Sequence, residues 1–238
     1  MTLPAIETTA DEAAPRRLRA DAARNRQRLI DAAAEVFAAR GLDATLDDIA
    51  RHAGVNVATA YRHFANKQEL AREFLLQCVD RAVAIAEDAA AHPDPWTGLT
   101  QFLERSLEMM ASNRALVDVL TRAHGGEHFA ELIRRTTAPL DRLLTRARAA
   151  GVVRADIAAT DFAPIIEMLG AITDQEAGGA PYLPHRYIAL ILAGLRPAGE
   201  RLPGEPPTEQ RLLQVATSKA GPPRPHPARR AGSRGDGV

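Results

Sequence analysis

The side chains with the clearest chemistry occur in one short run, from residue 56 to residue 67. The run opens with four small side chains, Asn56, Val57, Ala58 and Thr59. On a helix, such side chains let the backbone approach the floor of a DNA major groove, where amides and hydroxyls bond base edges and methyl groups contact thymine. The groups that follow are suited to phosphate oxygens, which position a protein on DNA without reading its sequence. These groups are Tyr61, Arg62, His63 and Lys67.

Two short helices joined by a glycine turn would present this run. Thr45 is placed to cap a helix over residues 46–53, and Asp48, three residues later, nearly completes a capping box. Gly54 permits a tight turn, and Asn56 is placed to cap a third helix that ends near Phe64. The residues expected to face inward are Val55, Ala60 and Phe64. The pattern predicts a helix-turn-helix, whose second helix enters the major groove.

A cluster of arginines precedes the first helix, which is predicted from about Ala20 to Arg40 because apolar residues recur there at helical spacing. The cluster comprises Arg16, Arg17, Arg19, Arg24, Arg26 and Arg28. A basic arm of this kind follows the DNA backbone or enters the minor groove. Its predicted DNA contacts are Arg16, Arg17, Arg19 and Arg24. The alternative is a solvated, partly frayed helix face.

The motifs of residues 24–74 follow one another at set separations. They are the Ala-Ala-x-x-x-Phe that ends at Phe37, then Gly41, Asp47-Asp48-Ile49-Ala50, Ala53-Gly54-Val55, Tyr61-Arg62-His63-Phe64 and Asn66-Lys67. Together they resemble the DNA-binding domain of the TetR family of bacterial transcriptional regulators. The resemblance implies that the Thr45 cap lies close to phosphate, and that bound protein usually represses until a ligand releases it. Ala58 and Ala60 depart from the family pattern, which has Gly and a larger aliphatic residue there, so no operator sequence is carried over.

Charge is segregated along a chain whose formal net charge is zero. Residues 15–67 carry ten Lys or Arg against six Asp or Glu, whereas residues 68–218 carry 15 against 20. This distribution fits a module that faces nucleic acid and is attached to an acidic body.

Composition excludes several classes of protein. The single cysteine, Cys78, rules out an internal disulfide framework and a multi-cysteine metal site, and it is more typical of a small core residue than of a redox sensor. No apolar stretch reaches about 18 residues, so no membrane span is expected. Residues 1–11 lack the basic and apolar regions of a signal peptide. We therefore expect a cytoplasmic protein without a cofactor or a metal site.

The remainder of the chain is predicted to be helical. A long helix from Lys67 to about Ala91 is followed by helices near 97–112, 114–123, 127–150, 160–176 and 184–195. Half of the 16 prolines lie in residues 197–238, which predicts a mostly disordered tail with room for a short helix at 208–216. The expected division is a disordered leader (1–15), a DNA-binding domain (16–67), a regulatory and dimerisation domain (68–196) and the tail (197–238).

Two sets of apolar side chains in the body carry further hypotheses. Met and aromatic residues suit an adaptable pocket for a small apolar or amphipathic ligand, although each alone is typical of ordinary core. The pocket candidates are Trp96, Phe102, Met109, Met110, Phe129, Ile133, Phe162 and Met168. Helices 160–176 and 184–195 are apolar all round, which predicts burial by their own core and by a second copy, with a single-chain core as the alternative. The predicted dimer interface comprises Ile165, Ile166, Leu169, Ile172, Ile188, Ile191, Leu192 and Leu195.

The sequence thus predicts an all-α homodimer, with an N-terminal three-helix helix-turn-helix domain followed by a helical ligand-binding and dimerisation domain. Two-fold symmetry predicts a palindromic operator in double-stranded DNA. A ligand that tilts the helix from Lys67 would release the protein. One alternative is a DNA-binding regulator that is ligand-independent or controlled by another protein. The other is a small-molecule enzyme with a purely structural helix-turn-helix, although the chain lacks a phosphate loop and a nucleophile elbow.

Overall fold

The computed structural model describes residues 13–124, 127–175, 183–197 and 199–219. These residues form nine α-helices and contain no strand, so the predicted all-α fold is confirmed. The helices are α1 (Ala13–Arg40), α2 (Leu46–His52), α3 (Val57–His63), α4 (Lys67–Ala91), α5 (Pro95–His124), α6 (Glu127–Ala149), α7 (Phe162–Gln175), α8 (Leu183–Leu195) and α9 (Glu209–Lys219). Within the described part of the chain, no helix is long and apolar enough to cross a bilayer.

Helix α4 belongs to two hydrophobic cores. Its first turns bury Leu70 and Phe74 with side chains of α1, α2 and α3. Its second half buries Ile85 and Ala89 with side chains of α5, α6, α7 and α8. Because an α-helix transmits displacement along its length, α4 connects the packing of the body directly to that of the first three helices.

Arginines of α6 hold α4 in place along one side. Arg135 pairs with Asp80 at 2.7 Å, and Arg142 pairs with Glu87. The spacing of seven residues in both helices is two turns, so the two pairs lie along one face of each helix. Arg146 continues this row and donates to the backbone oxygens of Ala90 and Pro93, both at 2.7 Å.

Two predicted helix boundaries differ from the structure. Helix α1 begins at Ala13 and not near Ala20, so the last residues of the predicted leader are helical. Pro15 is compatible with this because proline is tolerated in the first turn of a helix. The predicted helices 97–112 and 114–123 are a single helix, α5. The intervening Asn113 is only a modestly poor helix former, at less than about 1 kcal/mol, and no Gly or Pro breaks the chain there.

Residues 199–219 of the predicted tail have defined contacts and include a helix, α9, where the sequence left room for a short helix at 208–216. Arg154 and Asp156 form an ion pair at 2.6 Å. Arg154 donates to the Glu200 backbone oxygen at 2.8 Å, and the Leu202 N–H donates to the Asp156 carboxylate at 2.6 Å. Helix α9 follows, contacts α6 and buries Leu212. The short helix that the sequence allowed at 208–216 thus corresponds to α9, whereas the contacts of Arg154 and Asp156 with residues 200 and 202 were not predicted.

Candidate nucleic-acid interface

Helix α2 begins with a complete capping box. The Thr45 hydroxyl oxygen accepts a hydrogen bond from the Asp48 N–H at 3.1 Å, and the Thr45 N–H donates to the Asp48 carboxylate at 3.0 Å. The pKa of the Asp48 carboxyl is lowered first by its hydrogen bonds from Thr45, and further by the charges of Arg51 and Arg40. The predicted box is therefore present and satisfies backbone groups that would otherwise lack partners at the start of α2.

A glycine turn then leads into α3. Gly54 has a φ of +62°, in the left-handed region that glycine adopts without strain. The Val55 N–H donates back to the Ala50 oxygen at 2.9 Å, which closes the turn. Asn56 caps α3 by accepting from the Ala58 N–H at 2.9 Å. The turn and both caps lie where the sequence places them.

Burial decides which face of α3 points outward. Ala60 and Phe64 are almost fully buried, so the opposite face of the helix is open to solvent. Asn56 and Ala58 are exposed and Thr59 is half-buried, which leaves all three accessible for base contacts. Val57, the other predicted base-reading residue, is half-buried and packs against the N-terminal core.

The predicted phosphate contacts separate into free groups and groups that are already engaged. Arg62 is exposed and has no partner among the described residues, and His63 is half-buried. Tyr61 is 51% exposed, and a hydrogen bond to Asp47, together with the negative charge of that residue, raises its pKa. Besides Tyr61, two groups are engaged: the Lys67 amine, which donates to the Ala44 oxygen at 3.1 Å, and the Thr45 hydroxyl, which donates to Asp48 at 2.6 Å.

The basic arm is part of α1 and does not precede it, which corrects the expected arrangement. The side chains of Arg16 and Arg17 lie outside the described part of the structure. Arg19 is exposed and has no partner among the described residues, and Arg24 pairs with Asp21. Among the arm side chains that the structure describes, Arg19 is thus free to contact a phosphate.

Cys78 is half-buried against the N-terminal core. Burial raises the pKa of its thiol to about 11, so the thiolate is scarce at neutral pH. Because the thiolate is the reactive form, this surrounding fits the expected core residue better than a redox sensor.

The eight pocket candidates do not share one cavity in the described residues. Phe102 and Phe162 fill the body core as an edge-to-face pair with ring centroids 5.7 Å apart. Trp96 packs beneath the guanidinium of Arg196 at 3.4 Å, and Met168 is 59% exposed, which contradicts a pocket role for Met168 in this protomer. The others, Met109, Met110 and Phe129, are half-buried, and Ile133 is buried.

Ile133 does line a recess of about 200 Å³ between α6 and α9. The other lining residues are Ala130, Glu131, Arg134, Glu209 and Leu213. The sequence did not predict this recess because the packing of the short C-terminal helix, α9, against α6 joins distant segments of the chain.

The predicted dimer interface also requires correction. Leu169, Ile188 and Leu195 are at most 4% exposed within the core of their own protomer, so they cannot bury further surface against a second copy. Ile165, Ile166, Ile191 and Leu192 are half-buried against the same core, and the side chain of Ile172 lies outside the described residues. The large apolar side chains that α7 and α8 expose are Met168, Tyr187 and Leu190. Periodicity had shown that both helices are apolar all round, but only packing shows which side faces outward.

Comparison with known proteins follows the same division of the chain. Residues 29–74 match the sequence model of bacterial regulatory proteins of the tetR family, and residues 94–197 match the C-terminal domain of SbtR-like transcriptional regulators. A TetR transcription regulatory protein from Mycobacterium vanbaalenii superposes with a TM-score of 0.58 and 34% sequence identity, over 75% of this chain and 99% of that one. The chain belongs to the TetR family. Its members are DNA-binding transcription factors and not enzymes, which removes the enzyme alternative.

The curated relatives match only part of the chain. The transcriptional repressor BepR of Brucella suis is 33% identical over 109 residues, which is 44% of this chain and 52% of the relative. The uncharacterised regulator TtgW of Pseudomonas putida is 52% identical over 61 residues, or 25% of this chain and 46% of the relative. The chain thus matches about half the length, or less, of these relatives.

Proposed function

We propose that this protein is a transcriptional repressor that binds a palindromic operator as a homodimer and is released by a small ligand. The observation that carries the proposal is the outer face of α3. Both ends of this helix are fixed by caps, its inner face is buried, and its outer face offers Asn56, Ala58 and Thr59 beside the unpaired Arg62. Small side chains beside a free guanidinium suit base contact in a groove and phosphate contact at its edge.

The dimer is supported by the exposed apolar side chains of α7 and α8. Met168, Tyr187 and Leu190 are 59%, 39% and 56% exposed in the isolated protomer. Exposed apolar side chains on neighbouring helices mark an interaction surface, and a second copy of the same chain covers them symmetrically. Two-fold symmetry would then place two copies of α3 in successive major grooves, about one helical turn of DNA apart.

Release by a ligand is supported by the position of α4. This helix is packed in both cores, so a ligand that favours another arrangement of the body also changes the pose of α4. A coupling of about 1–3 kcal/mol between the two sites is enough to change operator occupancy several-fold or more. The ligand we propose is small and apolar or amphipathic, since the body that would receive it is lined mainly by aliphatic and aromatic groups.

The test is a gel-shift titration of the full chain with the DNA upstream of its own coding sequence. We expect a sequence-selective shift whose affinity falls steeply with salt. Tyr61→Ala combined with Arg62→Ala should abolish the shift. Arg211→Ala, which removes an exposed arginine from α9, should leave it unchanged. A wild-type protein that shifts operator and scrambled duplex alike would refute the proposal, and a monomer in sedimentation equilibrium would refute its dimeric form.

A further inference from the structure

Arg28 of α1 holds the turn that precedes α3. Its Nη2 atom donates to the backbone oxygen of Ala53 at 2.6 Å and lies 3.4 Å from that of Gly54. Ala53 is the C-cap of α2, where backbone oxygens have no partner within the helix and carry partial negative charge. A Cβ at residue 54 would approach the same Nη2 atom to 3.0 Å, so the glycine also leaves room for this contact.

Arg26, two residues earlier, holds the other end of α3. Its guanidinium lies 5.1 Å from the centroid of the Phe64 ring, and Phe64 is the C-cap of α3. The same guanidinium pairs with Glu73 of α4 at 2.9 Å. Both charged side chains of this pair are partly shielded, at 39% and 29% exposed. Arg26 therefore joins three elements: α1, the end of α3 and the first turns of α4.

The residue between the two arginines fixes α1 against α4. The Gln27 and Gln77 side-chain amides exchange two hydrogen bonds, at 3.3 and 3.2 Å. Residues 26–28 thus join α1 to three neighbouring parts of the domain. Arg28 contacts the turn before α3, Arg26 contacts Phe64 at the end of α3 and Glu73 of α4, and Gln27 contacts Gln77 of α4.

We propose that Arg26 and Arg28 are positioning residues that set the orientation of α3 against α1 and α4 and do not bind DNA themselves. The proposal rests on the DNA-binding function proposed above. It assigns a separate role to the two arginines of the basic cluster that are not among its predicted DNA contacts. It also gives α4 a specific route to α3, because any tilt of α4 moves Glu73 and, through Arg26, the Phe64 end of α3.

Salt dependence separates a positioning residue from a phosphate contact. Removing one phosphate contact lowers the slope of log affinity against log salt by about 0.9 and weakens binding to every duplex. Removing a positioning residue leaves this slope unchanged. It lowers the preference for operator over scrambled DNA, because base contacts carry that preference and depend on the orientation of α3.

The experiment measures fluorescence anisotropy of operator and scrambled duplexes at several salt concentrations, using the full chain. The variants are Arg26→Met, Arg28→Met, Glu73→Gln and the double variant Arg26→Met/Glu73→Gln, with Arg62→Met as the reference for loss of a phosphate contact. We expect each of the first three to lower the operator-to-scrambled ratio about tenfold, with the wild-type salt slope retained. The double variant should be no worse than Arg26→Met alone, because both changes remove one interaction.

Glu73→Gln gives opposite results under the two interpretations. If Arg26 positions α3, this variant lowers the operator-to-scrambled ratio. If Arg26 contacts phosphate, the loss of Glu73 frees its charge, and both duplexes bind more tightly with a steeper salt slope. That result, or a slope reduced by about 0.9 in Arg26→Met or Arg28→Met, would overturn the proposal. A wild-type protein without operator preference would instead overturn the proposed function.

Folding is followed by thermal unfolding of every variant. Arg28→Lys is the second variant at that position, because it keeps the charge but cannot reproduce the planar guanidinium. If Arg28 contacts a phosphate, the Arg28→Lys variant should bind DNA almost as wild type does. If Arg28 instead acts by donating to the Ala53 and Gly54 oxygens, the variant should retain the wild-type salt slope and still lose operator preference. Full retention of operator preference by Arg28→Lys would therefore count against a positioning role.

Discussion

The two ends of α4 are built in different ways. Around α2 and α3, the groups that fix the helix starts lie close together in sequence: Thr45 with Asp48, and Asn56 with Ala58. In the body, the contacts that hold α4 join residues 55 positions apart, as in Arg135 with Asp80. The DNA-facing end is therefore specified by local hydrogen bonds, whereas the body is specified by packing between distant segments. This difference explains why function could be inferred from the first end and not from the second.

The same kind of contact, an arginine donating to backbone oxygens at a helix terminus, occurs near both ends of α4. Arg28 donates to the oxygens that end α2, and Arg146 of α6 donates to the Ala90 and Pro93 oxygens beyond the other end of α4. In each case a neighbouring helix supplies a guanidinium to the carbonyl groups that a helix terminus leaves without partners. Neither arginine is distinguishable by sequence from a solvent-facing one, because its acceptors are backbone atoms of a distant segment.

The largest expected effect comes from removing one buried ring at each end. Phe64→Ala and Phe162→Ala should each cost about 3–5 kcal/mol of stability, since both rings are 1% exposed. Phe64→Ala should also abolish operator binding. Urea unfolding is followed by circular dichroism for the whole chain and by the fluorescence of Trp96, the single tryptophan, for the body.

If the two ends differ as described, the two probes separate in Phe64→Ala. The circular dichroism transition should begin at lower urea, while the Trp96 transition moves less. In Phe162→Ala both probes should move together. Coincident transitions in the wild type and in both variants would show that the two cores unfold as one cooperative unit. The two ends of α4 would then differ in the contacts that hold them but not in their stability.

How much the sequence could predict follows the same division. The caps at Thr45 and Asn56 are confirmed, because each depends on a side chain and a backbone N–H only a few residues away. Arg26 was misassigned to the arm, since its partners Phe64 and Glu73 are remote. A signal was present, however: Arg26 lies four residues before Ile30, on the stripe of α1 that is buried.

In the body, periodicity was informative about helix existence but not about orientation. Leu169 and Leu190 are equally apolar, yet Leu169, which was assigned to the dimer interface, is 1% exposed, and Leu190, which was not, is 56% exposed. Which face of a helix that is apolar all round becomes buried depends on the helices that pack against it. The same limitation applies to the recess beside Ile133, because the pattern that allowed a short helix at 208–216 did not show that it packs against α6.

The next effect in size is the loss of a local cap. Thr45→Ala should cost about 1 kcal/mol, because the Asp48 N–H loses its acceptor at the start of α2. Thr100→Ala is the matched control in the body. Its hydroxyl donates only to the Trp96 oxygen within α5, and alanine is the better helix former, so its effect should be close to zero. Equal losses in chemical denaturation would contradict the assignment of Thr45 as the stabilising cap.

A smaller effect is expected from the arginine row between α6 and α4. Arg142→Met should cost at most about 1 kcal/mol, since both partners of its pair with Glu87 are about half exposed. Arg146→Met should cost more, because two backbone oxygens then lose their donor. Denaturation in low and high salt distinguishes them, since salt screens the ion pair more than the carbonyl contacts. A larger loss in Arg142→Met would show that the charge pairs are the main restraint on α4.

The smallest expected effect is the pH dependence of the stability that two carboxyl groups contribute, one in the N-terminal domain and one in the body. The pKa of Asp48 is lowered mainly by Thr45, and that of Asp156 by Arg154 and then by the Leu202 N–H. A carboxyl whose pKa is lower in the folded state stabilises the fold above its unfolded pKa and loses this contribution as pH falls through the folded value. Asp48→Asn and Asp156→Asn should therefore be less stable than wild type at neutral pH, and the difference should disappear in acid. Urea unfolding at steps from about pH 5 downward measures this convergence, which Asp156→Asn should reach at lower pH than Asp48→Asn, because the pKa of Asp156 is lowered further. If the free energies of unfolding of a variant and wild type instead differ by a constant amount over that range, the pKa of the carboxyl group is not lowered on folding. The capping box and the Arg154 contact would then stabilise the fold without any contribution from the carboxylate charge.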